Sequence, residues 1–129
     1  MYAPLLLLAP ISVPPADTQR RELAPRASFD RCLAASEGVT VEMLNCIGAE
    51  YDYQDARLNA LYKRVKARLS PARQAELRAS ERQWLRTREP GCMAEAKKAG
   101  DGTLGQVVRN QCMLDSLIDR IEFLQRYPR

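Results

Sequence analysis

The apolar residues of this chain recur at helical spacing over most of its length. Between residues 40 and 69 they fall three, four or seven positions apart, at Met43, Ile47, Tyr51, Leu58, Leu61, Val65 and Leu69. A second stripe comprises Leu104, Val107, Cys112, Leu114, Leu117, Ile118, Ile121 and Leu124. An α-helix repeats every 3.6 residues, so each set lies on one helical face. The pattern predicts two long amphipathic helices that bury these faces in a shared core.

Cap and turn residues predict where the first two helices begin and end. Ser28 is a candidate N-cap for a short first helix, with Asp30 in its first turn. That helix is expected to run to about Ser36 and to end at Gly38, since glycine accepts the left-handed conformation that closes many helices. Thr40 is the candidate cap of the long second helix.

In the second half of the chain, proline, glycine and cap residues predict the boundaries of two further helices. Ser70-Pro71 predicts the start of a third helix, with serine at the cap and proline at the first helical position. Pro90-Gly91 predicts a kink or break in that helix. The segment Gly100–Gly102 forms the next turn. Thr103 and Gln106 then have the spacing of a capping box for the last helix. Short turns between long helices predict an all-α, antiparallel domain of three to four helices.

The N-terminus differs from the rest of the chain. Residues 1–16 are uncharged and contain the apolar run Leu5–Leu8, which indicates a signal peptide removed near Ala16. This stretch is too short and too rich in proline to span a bilayer as a helix, so no transmembrane segment is predicted. We expect residues 17–27 to form a flexible arm and residues 28–127 to form the helical domain.

Composition limits the chemistry. The chain has 129 residues, a net charge of +4 and no histidine. Without histidine, the commonest general base and a common metal ligand are absent, so we predict neither an enzyme nor a cofactor. The basic run from Lys63 to Arg68 lacks interleaved aromatic residues, and it is interpreted as a solvated face instead of a nucleic-acid site.

Four cysteines provide the strongest constraint. They are Cys32, Cys46, Cys92 and Cys112. An even number of cysteines behind a signal peptide favours disulfides, and their spacing does not suit structural zinc. Cys32 and Cys46 lie about equally far from the turn near Gly38, as Cys92 and Cys112 do from Gly102. Since such positions face each other in a helical hairpin, we predict the pairs Cys32–Cys46 and Cys92–Cys112.

Several segments together resemble the LprI-like lysozyme-inhibitor family. Cys46, Glu50-Tyr51, Asp55, Leu58-Asn59 and Tyr62 match its pattern C-x3-E-Y-x3-D-x2-LN-x2-Y. Arg82-Gln-Trp84, Arg88-Glu89 and Cys92 resemble its middle segment, and Gly102-Thr103, Cys112 and Arg120 resemble its closing segment. The resemblance covers about residues 30 to 125. One departure is Glu81, which stands where the family usually has glutamine.

The resemblance implies an exported bacterial binding protein, periplasmic or secreted, with lysozyme inhibition as the activity that names the family. Its partner would be lysozyme or another envelope protein. The alternative is a structural or interaction module of the envelope without an enzyme target. Because a +4 chain lacks general attraction to basic lysozymes, inhibition would need a local acidic patch or an inserted loop. Glu50 with Asp52, and the turn Gly100–Thr103, are the candidates.

Two groups of side chains are assigned structural roles. Asp55 and Asn59, one helical turn apart, are expected to form a partly buried polar cluster with Arg82 or Arg88 of the third helix. Trp84 is predicted to lie at the centre of the core, with Tyr51 and Tyr62 at its edge because their hydroxyls need partners.

Overall fold

The computed structural model describes residues 25–100 and 102–127, and in this part of the chain every regular element is a helix. The four helices are α1 Ala27–Ala35, α2 Thr40–Ala67, α3 Pro71–Lys98 and α4 Thr103–Gln125. This confirms the predicted all-α class. The predicted signal peptide and residues 17–24 of the predicted arm lie outside the described residues.

Three of the four predicted N-caps are wrong. α1 begins at Ala27, before Ser28, and α2 and α4 begin at Thr40 and Thr103 themselves. No side chain makes a capping hydrogen bond at these three helix starts. Each predicted cap therefore lies inside the first turn. From there its side chain is not placed to accept from the backbone N–H groups that an N-cap satisfies.

α3 begins where the sequence predicts, but it is not interrupted at Pro90. The Ser70 hydroxyl accepts a hydrogen bond from the backbone N–H of Arg73 at 3.3 Å, and Pro71 is the first helical residue. The helix then continues through Pro90 to Lys98, so a break at this point is wrong, and the alternative of a kink stays a prediction. Proline at position 90 removes a single backbone N–H donor. On either side of that point α3 is joined to α4, by the Trp84–Ser116 hydrogen bond and by the Cys92–Cys112 disulfide.

The turn between α1 and α2 depends on left-handed backbone. Glu37 has φ 49° and Gly38 has φ 78°, a region that glycine adopts without strain. Ser36, which is buried, donates its hydroxyl hydrogen to the Leu33 carbonyl at 2.6 Å. This compact turn reverses the chain and lays α1 back along the start of α2.

α4 is the central helix, because both α2 and α3 pack against it. Contacts across the α3–α4 interface run in opposite directions along the two helices: Trp84 meets Ser116, and Glu81 meets Arg120. α3 and α4 are therefore antiparallel. α2 lies parallel to α4, since Ile47 packs near Leu114 at one end and α2's last turn packs near Leu124 at the other.

Two apolar clusters form the core. The larger lies where the α2–α3 turn meets the end of α4 and contains Leu58, Leu69, Leu77, Leu117, Ile121 and Leu124. The smaller lies under α1 and contains Phe29, Cys46, Ile47 and Leu114. Leucines 77, 114 and 117 are fully buried. These positions belong largely to the apolar stripes of the sequence, so helical periodicity identifies the core.

Both predicted disulfides are confirmed. Cys32–Cys46 joins α1 to α2 with the Cα atoms 5.8 Å apart, and Cys92–Cys112 joins α3 to α4 with the Cα atoms 5.5 Å apart. The two bridges fasten the outer helices α1 and α3 to their neighbours. Among the described residues, no helix has the length and apolar character needed to cross a bilayer.

Candidate functional site

A long, shallow groove follows the side of α4 that neither α2 nor α3 covers. Its volume is about 830 Å³. Leu33 of α1 and Met43 of α2 form one wall, and Trp84 of α3 forms the other. Apolar side chains of α4, among them Val107 and Phe123, contribute to its floor. The groove exists because α1 and α3 rise on either side of a central helix, leaving a concave apolar strip.

Carboxylates line this apolar strip. Asp115 and Asp119 lie one helical turn apart on α4, both are exposed, and both border the groove. Asp115 accepts a hydrogen bond from the Gln111 side chain at 2.9 Å. Within the described part of the chain, neither aspartate takes part in an ion pair. The groove therefore presents negative charge that no cation of the described chain neutralises.

The electrostatic environment of Asp119 shows the effect of this arrangement. Partial burial raises the pKa of Asp119 above its ordinary value of 3.8, and the neighbouring charges of Asp115 and Glu122 raise it further. Like charges on one helical face repel, so the ionised form is disfavoured. A cation bound beside Asp119 would relieve that repulsion.

The Trp84 wall is held by polar contacts on both sides. Its indole N–H donates to the Ser116 hydroxyl at 2.9 Å, which fixes the ring against α4. The guanidinium of Arg88 lies 4.6 Å from the indole ring centre, and that of Arg120 lies 5.7 Å away. Arg120 also lies 4.3 Å from the ring of Phe123. Arg120 thus connects the Trp84 wall to the Phe123 side chain of the floor through cation–π contacts.

Arg120, which contacts the rings of both Trp84 and Phe123, is itself buried between α3 and α4. It is 7% exposed, forms an ion pair with Glu81 at 2.8 Å and donates to the Ser80 hydroxyl at 3.1 Å. The glutamate at position 81, noted as a departure from the family pattern, thus neutralises a buried guanidinium. Burial raises the pKa of Tyr62, and the charge of Glu81 contributes in the same direction.

The structure does not bring the four residues of the predicted polar cluster together. Asp55 accepts from the Asn59 amide at 3.5 Å. Arg88 instead donates to the Tyr51 hydroxyl at 2.9 Å, and Arg82 lies exposed on α3. The ion pairs of the described residues include none from Asp55 to either arginine. α2 and α3 both pack on α4 and make few contacts with each other, which explains the difference.

Trp84, predicted to lie at the centre of the core, lies at its edge, where Tyr51 and Tyr62 were expected. Trp84, Tyr51 and Tyr62 are all half-buried and pack against the apolar clusters. The centre of the core is made of leucines instead. Trp84 remains partly accessible because its outer side forms the groove wall.

Glu50, a candidate for an acidic patch, is a buried anchor. Its side chain is 1% exposed and accepts from the Arg26 backbone N–H at 3.0 Å, from the Arg26 guanidinium at 2.9 Å and from Gln54 at 2.8 Å. Burial alone would raise the pKa of Glu50, but these hydrogen bonds outweigh it and lower the pKa. Glu50 therefore holds the start of α1 against α2 and contributes no charge to the surface.

The acidic pair of the groove was not singled out in the sequence. Asp115 and Asp119 have the i, i+4 spacing that puts two charges on one helical face. That spacing could have drawn attention to them, but it does not reveal which face stays uncovered. The other region predicted to contact lysozyme, the turn Gly100–Thr103, includes Asp101, which lies outside the described residues. In the described ranges no group of acidic or cysteine side chains is arranged to hold a metal ion.

Comparison with known proteins gives one match. The family described as "Lysozyme inhibitor LprI" matches residues 32–124, from the first cysteine in α1 to the last core leucine of α4. No curated protein and no solved structure matches the chain. The match includes both disulfides and nearly all of the groove-forming segments. This chain therefore belongs to the LprI lysozyme-inhibitor family.

Proposed function

We propose that this protein is an exported binding protein that inhibits lysozyme through the groove along α4. The observation that carries the proposal is the pair of unneutralised carboxylates, Asp115 and Asp119, set among apolar walls. Family membership supplies the class of partner. Many lysozymes are basic, and charge complementarity increases both the rate and the specificity of such an association.

The arrangement suits a protruding segment of a basic protein. Arginine or lysine side chains of the partner would pair with Asp115 and Asp119. Neighbouring apolar side chains would pack on Trp84, Met43 and Phe123. Aromatic anchors inside a partly desolvated groove are typical of the residues that dominate binding energy. Since Trp84 and Phe123 are held in place by Arg120, little ordering entropy would be lost on binding.

Export is part of the same proposal. One disulfide joins α1 to α2 and the other joins α3 to α4, and disulfides form and persist in oxidising compartments. A periplasmic or secreted location would place the protein where lysozyme acts on the cell wall. The predicted signal peptide of residues 1–16 is consistent with this location.

A turbidity assay of cell-wall lysis tests the proposed activity. The oxidised protein should slow a basic lysozyme in proportion to its concentration. The variant D115N/D119N removes both charges with little change of shape, and we expect it to raise the inhibition constant by about tenfold or more, since each rim charge pair contributes about 1 kcal/mol.

The matched control is D30N/D55N, which removes the same charge from α1 and α2, outside the groove. It should inhibit as the parent does. Equal losses in both variants would show that only overall charge matters. If the parent protein slowed none of several lysozyme types at micromolar excess, inhibition would be rejected in favour of an envelope module without an enzyme target.

A further inference from the structure

The outer face of α3 carries a second charged surface, of the opposite sign. Arg78, Arg82 and Arg86 follow one another at intervals of four residues, and all three are exposed. At 1.5 Å per residue they span about 12 Å along one side of the helix. Within the described ranges, none of them is in an ion pair or a side-chain hydrogen bond.

The acidic residues of α3 do not neutralise this row. Each of the four is already engaged with another cation: Glu76 with Arg73, Glu81 with Arg120, Glu89 with Arg109 and Glu95 with Lys98. Two of these partners, Arg109 and Arg120, belong to α4. The four glutamates of α3 are therefore paired with other cations, and the guanidinium groups of Arg78, Arg82 and Arg86 remain exposed to solvent.

Apolar side chains lie beside the row. Leu85 is 47% exposed and Met93 is 42% exposed, unusually high for large apolar residues. At about 100° per residue, both fall on the arginine side of α3. Guanidinium groups next to exposed apolar side chains are typical of surfaces that lie in the headgroup region of a membrane. A soluble anionic polymer would recognise the arginines without needing the apolar neighbours.

The row and the groove face different directions. Arg82 and Arg86 each lie two residues from Trp84, which is about 200° around the helix. Trp84 forms a groove wall, so these arginines point away from the groove. A protein held by this face would keep the α4 groove open to a second partner.

We propose that the face formed by Arg78, Arg82, Arg86, Leu85 and Met93 docks the protein onto an anionic lipid bilayer. The arginines bind acidic headgroups, and Leu85 and Met93 enter the boundary between headgroups and acyl chains. This surface is independent of the proposed inhibition, since it uses no residue of the groove.

Vesicle flotation tests the proposal. The oxidised protein should float with vesicles that contain phosphatidylglycerol and not with pure phosphatidylcholine vesicles, and binding should weaken with added salt. The variant R78Q/R82Q/R86Q should partition about a hundredfold less, since each basic residue near an anionic membrane contributes about a factor of five to ten. The control R31Q/R64Q/R68Q removes the same charge from α1, α2 and the residue that follows α2, and it should retain most of the binding.

A second variant separates a bilayer from a soluble polyanion. L85S/M93S should weaken vesicle binding severalfold while leaving binding to soluble polyphosphate unchanged. Helical circular dichroism would verify that each variant is folded. The proposal is overturned if the parent ignores anionic vesicles, if the control loses as much binding as the triple variant, or if L85S/M93S binds vesicles as the parent does.

Discussion

At the scale of single residues, the fold depends on a few buried polar groups with complete sets of partners. Glu50 receives three hydrogen bonds, two from Arg26 and one from Gln54, although its side chain is almost fully enclosed. In the described chain, no buried side-chain nitrogen or oxygen lacks a partner. A buried charge that is fully hydrogen-bonded stabilises a particular packing, and losing part of that set is costly.

Glu50→Gln should therefore destabilise the protein. A neutral amide would accept more weakly and would turn an NH2 group toward existing donors, so we expect a loss of about 2 kcal/mol in the free energy of unfolding near neutral pH. Because the folded-state pKa of Glu50 is lowered, its contribution is present above the ordinary pKa of 4.5 and disappears as pH falls through the lower folded value.

Urea unfolding over a range of pH measures both effects. The parent should lose stability below about pH 4.5, and Glu50→Gln should lose less over the same range. Glu42→Gln, at an exposed position of the same helix, is the control and should behave as the parent. Parallel acid limbs for the parent and Glu50→Gln would contradict the assigned role.

The pKa of Asp119 is shifted in the opposite direction to that of Glu50, and this shift leads to a prediction about binding. Its pKa is raised in the free protein, and a bound cation would favour the carboxylate. Binding of a basic partner should therefore release protons, and the affinity should increase as pH rises through the raised pKa of Asp119. Calorimetry in buffers of different ionisation enthalpy would detect the released protons. An affinity that is constant as pH passes through this pKa, or that is equally pH-dependent in Asp119→Asn, would exclude contact at Asp119.

Contacts between residues that are far apart in the sequence could not be predicted from local patterns. Asp55, Arg82 and Arg88 were expected to meet because they have complementary chemistry on adjacent helices. Their partners are instead set by how far α2 and α3 diverge over α4, which no local pattern encodes. The contact between Arg26 and Glu50 spans 24 positions and depends on the turn at Gly38, so it too could not be read from spacing.

At the scale of helices, apolar periodicity predicted α2 and α4 together with their buried faces. Cap and turn residues predicted that α1 and α3 exist, but cap residues were a poor guide to the exact residue at which a helix begins. Three predicted N-caps were wrong by one or two positions, because neighbouring residues can enter a helix at little cost when tertiary packing holds it. Pro90 likewise did not end α3.

The α3–α4 disulfide is expected to contribute strongly at this scale. Cys92–Cys112 closes a loop with a sequence separation of 20, and C92S/C112S should lower the free energy of unfolding by about 3 kcal/mol. The Glu81–Arg120 pair and the Trp84–Ser116 hydrogen bond should keep α3 on α4, so the far-ultraviolet spectrum should stay helical. A stability change near zero would show that packing alone holds this hairpin.

At the scale of the whole molecule, the distribution of charge matters more than its sum. The chain carries +4 overall, which by itself argues against attraction to a basic partner. Asp115 and Asp119 nevertheless make the α4 groove acidic, while Arg78, Arg82 and Arg86 make the far side of α3 basic. Composition predicts the sum alone. The separation of the two signs appears only when the helices are placed, since it depends on which face of α4 stays uncovered.

Amide chemical-shift mapping on isotope-labelled protein, titrated with an unlabelled basic lysozyme, tests most directly whether this groove is the binding surface. The account predicts that the largest shifts occur along the groove, at Val108, Gln111, Asp115, Asp119 and the indole N–H of Trp84. The outer face of α3 should change little. Shifts concentrated on that outer face, or the absence of shifts at saturating lysozyme, would contradict it.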